Sequence, residues 1–484
     1  MLLKLDSHSS HPLYIQIYNQ LKESIQQGDL VAGSRLLSKR QLAELNGISQ
    51  NTVLNAYNQL LTEGYIYSVE RSGYFVADVE LLFKSQILPF KQSEQIKPLT
   101  TPDKTGDNLE ILEETYRYNF TESVPDQRLF PFENFKKIYQ KLLDSGNSKF
   151  LQATHQQGLF ELRSTIQRYL SQSRGVPCQA DQLILGPSTQ YLIQLLTQLL
   201  PEITEFGMES PGYQGAHQLL TMLDVNIHPI PLDEYGAQPD VLEHSQVQLL
   251  YSTPNHQFPT GSIMPLERRH SLLKWVNSSE ERYIIEDDYD SEFKYSGRPI
   301  PPLKQLDSQD KVIYMGSFSR SISPGIRISF MVLPYALLKK YHEKLDRLTS
   351  SLNTLNQWLV YEFMISGQFE RHLNRSRSFY KKKRELLIKS ILQIDATAQV
   401  IGADAGLHIL LLPSVDFNPI VFKQLAKQTG IHIKTLADYS SGGIQQDNRT
   451  LFLSFSAIPE TEFDIAIQLL YDLLVESRQV CDIY

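Results

Sequence analysis

Residues 314–329 read YMGSFSRSISPGIRIS. A short apolar, β-prone run at 312–315 enters this stretch, and behind it follow closely spaced serines and two arginines, Arg320 and Arg327. Comparable runs stand at 182–185, 247–252 and 283–286, each followed by a helical stretch, so that from about Tyr116 to Tyr484 strand and helix alternate. Short, nearly continuous apolar strands are buried on both faces, which suits a doubly wound, mainly parallel α/β sheet. Such sheets bind ligands at the carboxyl ends of their strands, and the serine-rich stretch lies at one of those ends.

The chain has 484 residues, more than one ordinary core organises, so two or three domains are expected. A formal net charge of −8 argues against a generally basic nucleic-acid binder and leaves room for a local patch. Cys178 and Cys481 are far apart and form no CxxC pair, so neither a disulfide framework nor a cysteine-rich zinc site is expected. The start, MLLKLDSHSS, has too short an apolar run for a signal peptide, and no stretch approaches the roughly 20 apolar residues of a membrane span. The expectation is a soluble, cytoplasmic protein with no membrane partner.

The front of the chain follows a different pattern. Pro12 opens and Gly28 closes a segment in which Leu13, Ile17, Leu21 and Ile25 step by four along one helical face. Ser38 and Gln41 have capping-box spacing for a short second helix ending at Leu45, Asn46-Gly47 supplies a turn, and Ser49 can cap a third helix running to Gly64 with Val53, Tyr57 and Leu60 inside. Two β-rich runs, 65–69 and 73–76, flank a turn at 70–72 and predict a hairpin. Helix, helix, turn, helix, hairpin is a winged helix-turn-helix.

The run SKRQLAELNGISQNTVLNAYNQLLTEGYIY, residues 38–67, resembles the DNA-binding domain of GntR-type regulators. The resemblance implies that the third helix docks in the major groove of double-stranded DNA, with Lys39, Arg40, Gln50, Asn51, Thr52 and the wing residue Arg71 as the contacting side chains. Two positions depart from the pattern: Leu37 stands where the family usually has proline, and Gln50 where it usually has arginine. Residues 1–79 hold six Lys/Arg (4, 22, 35, 39, 40, 71) and seven Asp/Glu (6, 23, 29, 44, 63, 70, 78), which gives −1. Phosphate attraction from one such module is therefore modest, and a dimer is expected to be needed. The reading divides the chain into the winged helix-turn-helix at 1–79, a polar, proline-punctuated linker at 80–115, and the α/β unit at 116–484.

Within that last unit, four motifs and the 314–329 stretch together resemble fold-type I enzymes that use pyridoxal 5′-phosphate (PLP). LGPSTQYLIQLL, residues 185–196, leads from a strand into a helix whose first N–H groups, near Ser188 and Thr189, could hold a phosphate. ESPGYQGAH, residues 209–217, resembles the segment that lays an aromatic, here Tyr213, over the cofactor ring. STPNHQFPTG, residues 252–261, resembles the loop around the pyridine. Phe258 stands where aminotransferases commonly carry asparagine, and His256 reads as structural. In IIEDDYDSEFKY, residues 284–295, the resemblance gives Asp287 the pyridine nitrogen and Tyr289 the ring oxygen, with Asp288 and Asp290 serving structure. Ser317 and Arg327 would hold the phosphate, and Arg449, before a strand in NRTLFLSF, would pair with an effector carboxylate.

The combination resembles the MocR subfamily of GntR-type regulators over essentially the whole chain. It implies a fold-type I, aminotransferase-like domain with a smaller α/β subdomain, which senses PLP or an amino compound reacting with it, and a head-to-tail homodimer. Arg320 departs from the pattern, because the family's Schiff-base lysine follows the Ser-Phe-Ser. Guanidinium stays protonated above pH ~12 and is not a nucleophile. The expectation is no catalytic residue, no enzyme activity, and PLP bound without a covalent link or not at all. Three readings of Arg320 stand: natural loss in a sensor, an engineered substitution, or a dead site in a fold that only dimerises.

Overall fold

The regular spacing of Ile17, Leu21 and Ile25 is realised as the buried face of helix α1 (Leu13–Gln26). The computed structural model describes residues 3–6, 12–69, 72–77, 116–144, 146, 151–295, 301–345, 349–443 and 447–479. The 80–115 segment and Arg71 lie outside the described residues. The chain divides into one unit within residues 1–111 and another within 112–484.

In the first unit α1 is followed by α2 (Lys39–Asn46) and α3 (Gln50–Thr62). Ser38 caps α2 through a complete capping box with Gln41, and Gly47 ends it in the left-handed conformation, φ +65°, which glycine adopts without a Cβ penalty. Ser49 Oγ accepts from Thr52 N at 3.1 Å and caps α3. Val53, Tyr57 and Leu60 close on α1, and the antiparallel hairpin of β1 (Ile66–Val69) and β2 (Gly73–Val76) adds Ile66 and Val76 to that core. This is the winged helix-turn-helix that the pattern predicts, with α2 one residue longer at its end.

The second unit is built on an eight-stranded sheet. After a short β3 (Tyr118–Asn119) come β4 (Leu183–Gly186), β5 (Glu205–Ser210), β6 (Asn226–Asp233), β7 (Gly236–Ala237), β8 (Leu249–Ser252), β9 (Tyr283–Asp288), β10 (Val312–Ser317) and β11 (Ser329–Val332). The order is β4-β11-β10-β9-β8-β5-β6-β7. The five central strands run parallel from β10 through β9, β8 and β5 to β6, and the pairs β4·β11, β10·β11 and β6·β7 are antiparallel. Helices cover both faces, giving separate cores on the two sides of the sheet.

A smaller subdomain follows, with a four-stranded antiparallel sheet ordered β12 (Gln399–Ile401), β13 (His408–Leu412), β16 (Leu451–Ser454), β15 (Lys434–Thr435). The helices Gln368–Ile394, Pro419–Gln428 and Phe463–Gln479 pack on it. A parallel bridge between β3 and β14 (Ile431–His432) ties the start of this unit to its end. No described helix is long and apolar enough to cross a membrane.

Candidate cofactor site

The carboxyl ends of β4, β5, β8, β9 and β10 converge on one cavity of about 220 Å³. Ser188, Thr189, Tyr213, Asp287, Tyr289, Ser317, Arg320 and Arg327 all line it, joined by Gln190, Tyr251, Thr253, Phe258, Ser319 and Ser329. Eight of the predicted ligand-holding positions thus come together from segments up to 139 residues apart, Ser188 to Arg327.

Strand alternation explains why Asp287 rather than its neighbour faces the cavity. Successive side chains on β9 point to opposite faces. Asp288 turns to the other side, where Tyr314 OH donates to it and the Arg174 guanidinium lies 3.7 Å away. Asp287 shares its face with Tyr251, whose backbone pairs with Ile285, so the two side chains meet diagonally and Tyr251 OH donates to Asp287 Oδ2. Asp287 Oδ1 is buried with no partner among the described residues. Burial pushes this carboxyl up to about 7; the Tyr251 bond opposes the shift, Asp288 and Asp290 add to it, and Arg320 opposes it.

Tyr289 follows on the strand's end. Its hydroxyl lies 3.0 Å from His256 Nδ1, which is 2.9 Å from Asp290 Oδ2. His256 and Asp290 are both buried, so the pair fixes the direction of the phenol. Burial, then Asp290, holds the Tyr289 hydroxyl well above its ordinary range, so it remains a neutral donor. The loop carrying His256 is itself held by Glu209, which accepts from Thr253 Oγ1 at 2.9 Å and Gln257 Nε2 at 3.0 Å.

On the other side lie hydroxyls and the start of a helix. Ser188 is the N-cap of the helix Thr189–Leu199. The antiparallel register sets Ser329 beside Ser317, and Ser329 Oγ donates to Ser317 Oγ at 3.0 Å while Ser317 Oγ donates to Ser319 Oγ at 2.9 Å. Helix N–H groups, three serine hydroxyls and Arg327 form a donor set suited to a doubly charged phosphate. Arg320 lines the same cavity: Nη1 donates to Ser123 O at 2.8 Å, and Cζ lies 5.7 Å from the Tyr289 ring centroid. Among the described residues no lysine lines the cavity. Lys294 borders a different cavity, Lys304 pairs with Asp310 at 2.6 Å, and Lys311 Nζ donates to Glu280 O at 2.6 Å.

The structure does not bring Arg449 to this site. It lies in the turn before β16, with its Nη1 3.3 Å from Asp416 Oδ1, and on the alternation of Leu451 and Leu453, which face the subdomain core. The side chain that β16 sends toward the cavity wall is Phe452, 5.8 Å from Phe258 between ring centroids. Tyr439 closes the same wall at 5.3 Å from Phe258. The residues that sequence reasoning missed are Tyr251, Thr253, Ser319, Ser329 and Gln190. Tyr251 carried a usable signal, since a tyrosine inside an otherwise apolar strand needs a partner for its hydroxyl.

Of the predicted DNA-contacting residues, Arg40, Gln50 and Asn51 are exposed, and Lys39 and Thr52 are half-buried. Arg40 Nε donates to Glu44 Oε1 at 2.8 Å, and the Thr52 hydroxyl is within 2.8 Å of the Ser49 cap.

Two family models match the chain: bacterial regulatory proteins of the gntR family over residues 13–76, and aminotransferase class I and II over residues 120–463. A winged helix-turn-helix joined to an aminotransferase-like domain defines a class of one-chain regulators. The HTH-type transcriptional regulator YhdI of Bacillus subtilis is 36% identical over 469 residues, covering 96% of both chains. The probable rhizopine catabolism regulatory protein MocR of Rhizobium meliloti is 30% identical, covering 80% of this chain and 78% of its own. Among solved structures, the multiple substrate aminotransferase of Thermococcus profundus superposes with a TM-score of 0.66 at 23% identity, over 78% of this chain and 96% of the enzyme. The chain belongs to the MocR subfamily of GntR-type transcription regulators.

The residues present fit the phosphorylated pyridine that this fold usually binds. The orphaned Asp287 Oδ1 can accept from a protonated ring nitrogen, Tyr289 can donate to a ring oxygen, Tyr213 offers an aromatic face, and the serine group with Arg327 can hold the phosphate.

Proposed function

We propose that the aminotransferase-like unit works by occupancy: PLP, or an amino compound reacting with it, binds in the cavity without a covalent link to residue 320, and the DNA-binding modules respond. The observation that carries this reading is Arg320 itself, a guanidinium in the cavity at the position that follows Ser-Phe-Ser, with no lysine lining the cavity among the described residues. When bound, PLP supplies an electrophilic carbonyl and an electron-accepting ring. Here Asp287 holds or releases a proton at the ring nitrogen, Tyr289 orients the ring through the His256–Asp290 pair, and Ser317, Ser319, Ser329 and Arg327 retain the phosphate. The Arg320 guanidinium stays protonated and has no basic lone pair to take up a proton, so amino-group transfer is not supported.

DNA is engaged through α3 and the start of α2 in the cytoplasm, with Lys39, Arg40, Gln50, Asn51 and Thr52 toward the duplex. A head-to-tail homodimer presents two modules at one fixed half-site spacing, which offsets the weak charge of each.

Absorbance spectra with added PLP, before and after borohydride, test the reading on the chain as it stands and on Arg320→Lys. A reducible covalent band is expected only in the lysine variant, and saturable binding in both. A reducible band in the unmodified chain would show that another lysine has taken the role. Absence of any salt-dependent preference for promoter DNA over random duplex would remove the regulatory half.

A further inference from the structure

If the cavity holds a phosphorylated pyridine, as proposed above, Arg320 is the residue that meets its variable group. Arg320 is held at two points, by the Ser123 carbonyl 2.8 Å from Nη1 and by the Tyr289 ring 5.7 Å from Cζ. Its other N–H groups have no hydrogen-bond partner among the described residues, and it borders the cavity on the side of Asp287 and Tyr289. A guanidinium has five donors, no acceptor and a permanent charge. It can donate to a carbonyl or hydroxyl oxygen, and it meets an ammonium group as a like charge.

Among the described lining residues, Arg320 and Arg327 are the only cations, so with Arg327 on the phosphate there is no further cation for an effector carboxylate. One wall of the site is aromatic: Phe258 meets Phe452 at 5.8 Å and Tyr439 at 5.3 Å, and His408, whose Nε2 is bonded to the Pro259 carbonyl, stacks on Phe452 at 4.6 Å. Arg449 is engaged elsewhere, by Asp416. The cavity, about 220 Å³, is below the roughly 300–1,000 Å³ of clefts that take drug-sized ligands, and it accommodates one small molecule.

We infer that the cavity selects among phosphorylated pyridine vitamers by the group on the carbon attached at ring position 4: an aldehyde or alcohol oxygen is accepted by Arg320, and an amine is rejected. Pyridoxal and pyridoxine 5′-phosphates are ligands, and pyridoxamine 5′-phosphate is not an effective one. The regulator therefore distinguishes the aldehyde form of the vitamer from the aminated form, a distinction that a lysine at position 320 would not make in this way.

The three vitamers share the phosphate, the ring nitrogen and the ring hydroxyl, so their affinities isolate the variable group. Isothermal titration of the full-length chain with each is the test. The alcohol is the critical arm, because it cannot form a Schiff base with any lysine. Pyridoxal and pyridoxine 5′-phosphates should bind about 10–100-fold tighter than pyridoxamine 5′-phosphate, the scale of one hydrogen bond to a charged group. Arg320→Gln should bring the three affinities within about threefold of one another. Equal or tighter binding of the amine by the unmodified chain overturns this inference and leaves the occupancy reading standing. Failure of all three to bind overturns both. The decisive ratio is measured without any substitution, so it does not depend on a variant folding.

Discussion

Asp287 is the residue on which the site's electrostatics turn. Its carboxyl is pushed up to about 7 from an ordinary 3.8 by burial, so the folded protein holds that proton more tightly than the unfolded chain does. The associated stability is fully present below about pH 4 and is lost as the pH rises through about 7. Asp287→Asn keeps the shape and stays neutral, so the ligand-free variant should gain stability over the parent at pH 8 by on the order of a few kcal/mol and show little difference at pH 4. Thermal melts at the two pH values check this. The same variant should bind pyridoxal 5′-phosphate at least about tenfold more weakly, since the ring nitrogen loses its carboxylate. Equal gains at both pH values would show that the carboxyl is not the titrating group. The β-prone run before it placed the acidic cluster at a strand end, where such sheets bind ligands, and the resemblance of the motif singled out Asp287 within it. Its partner Tyr251 could not, because the diagonal contact depends on the register of β8 against β9.

At the scale of elements, the helix caps and the sheet edge do separate jobs. Ser49 satisfies the first free N–H groups of α3 through Thr52 N at 3.1 Å. Ser49→Ala should cost about 1 kcal/mol of stability in the first unit. Chemical denaturation followed by a probe within that unit measures it. Gln50→Ala and Asn51→Ala remove exposed side chains and should weaken DNA binding while leaving that unfolding transition within about 0.5 kcal/mol of the parent. The capping signals at Ser38, Gly47 and Ser49 were legible because they are local chemistry of three or four residues. The placement of Arg449 was not: an arginine before a strand looks the same whichever way the strand faces. Only the alternation within β16 shows Phe452 on the cavity side and Leu451 and Leu453 in the subdomain core.

For the whole molecule, binding and folding are linked through the second unit. A ligand at about 100 times its dissociation constant adds about 2.7 kcal/mol to the unit it binds. Pyridoxal 5′-phosphate should therefore raise the melting transition of the aminotransferase-like unit and leave that of the winged helix where it was; calorimetry with and without ligand resolves the two. In a dimer, Lys39→Ala removes one phosphate contact per module, and the slope of log affinity against log salt should fall in magnitude by roughly 2, read from DNA titrations over a range of salt. An unchanged slope would take Lys39 off the phosphate-contacting surface. By itself, the sequence determined the winged helix-turn-helix and the alternating α/β unit, because hydrophobic period, capping residues and turn chemistry act over a few residues; the roles expected of Asp287, Tyr289, Ser317 and Arg327 came from the resemblance of their motifs. Tertiary structure alone decided that Ser329 meets Ser317 across the antiparallel pair of β10 and β11, that His256 and Asp290 support Tyr289, and that Phe452 rather than Arg449 faces the cavity wall. Those arrangements depend on strand register and side-chain parity between segments far apart in the chain, which no local pattern encodes.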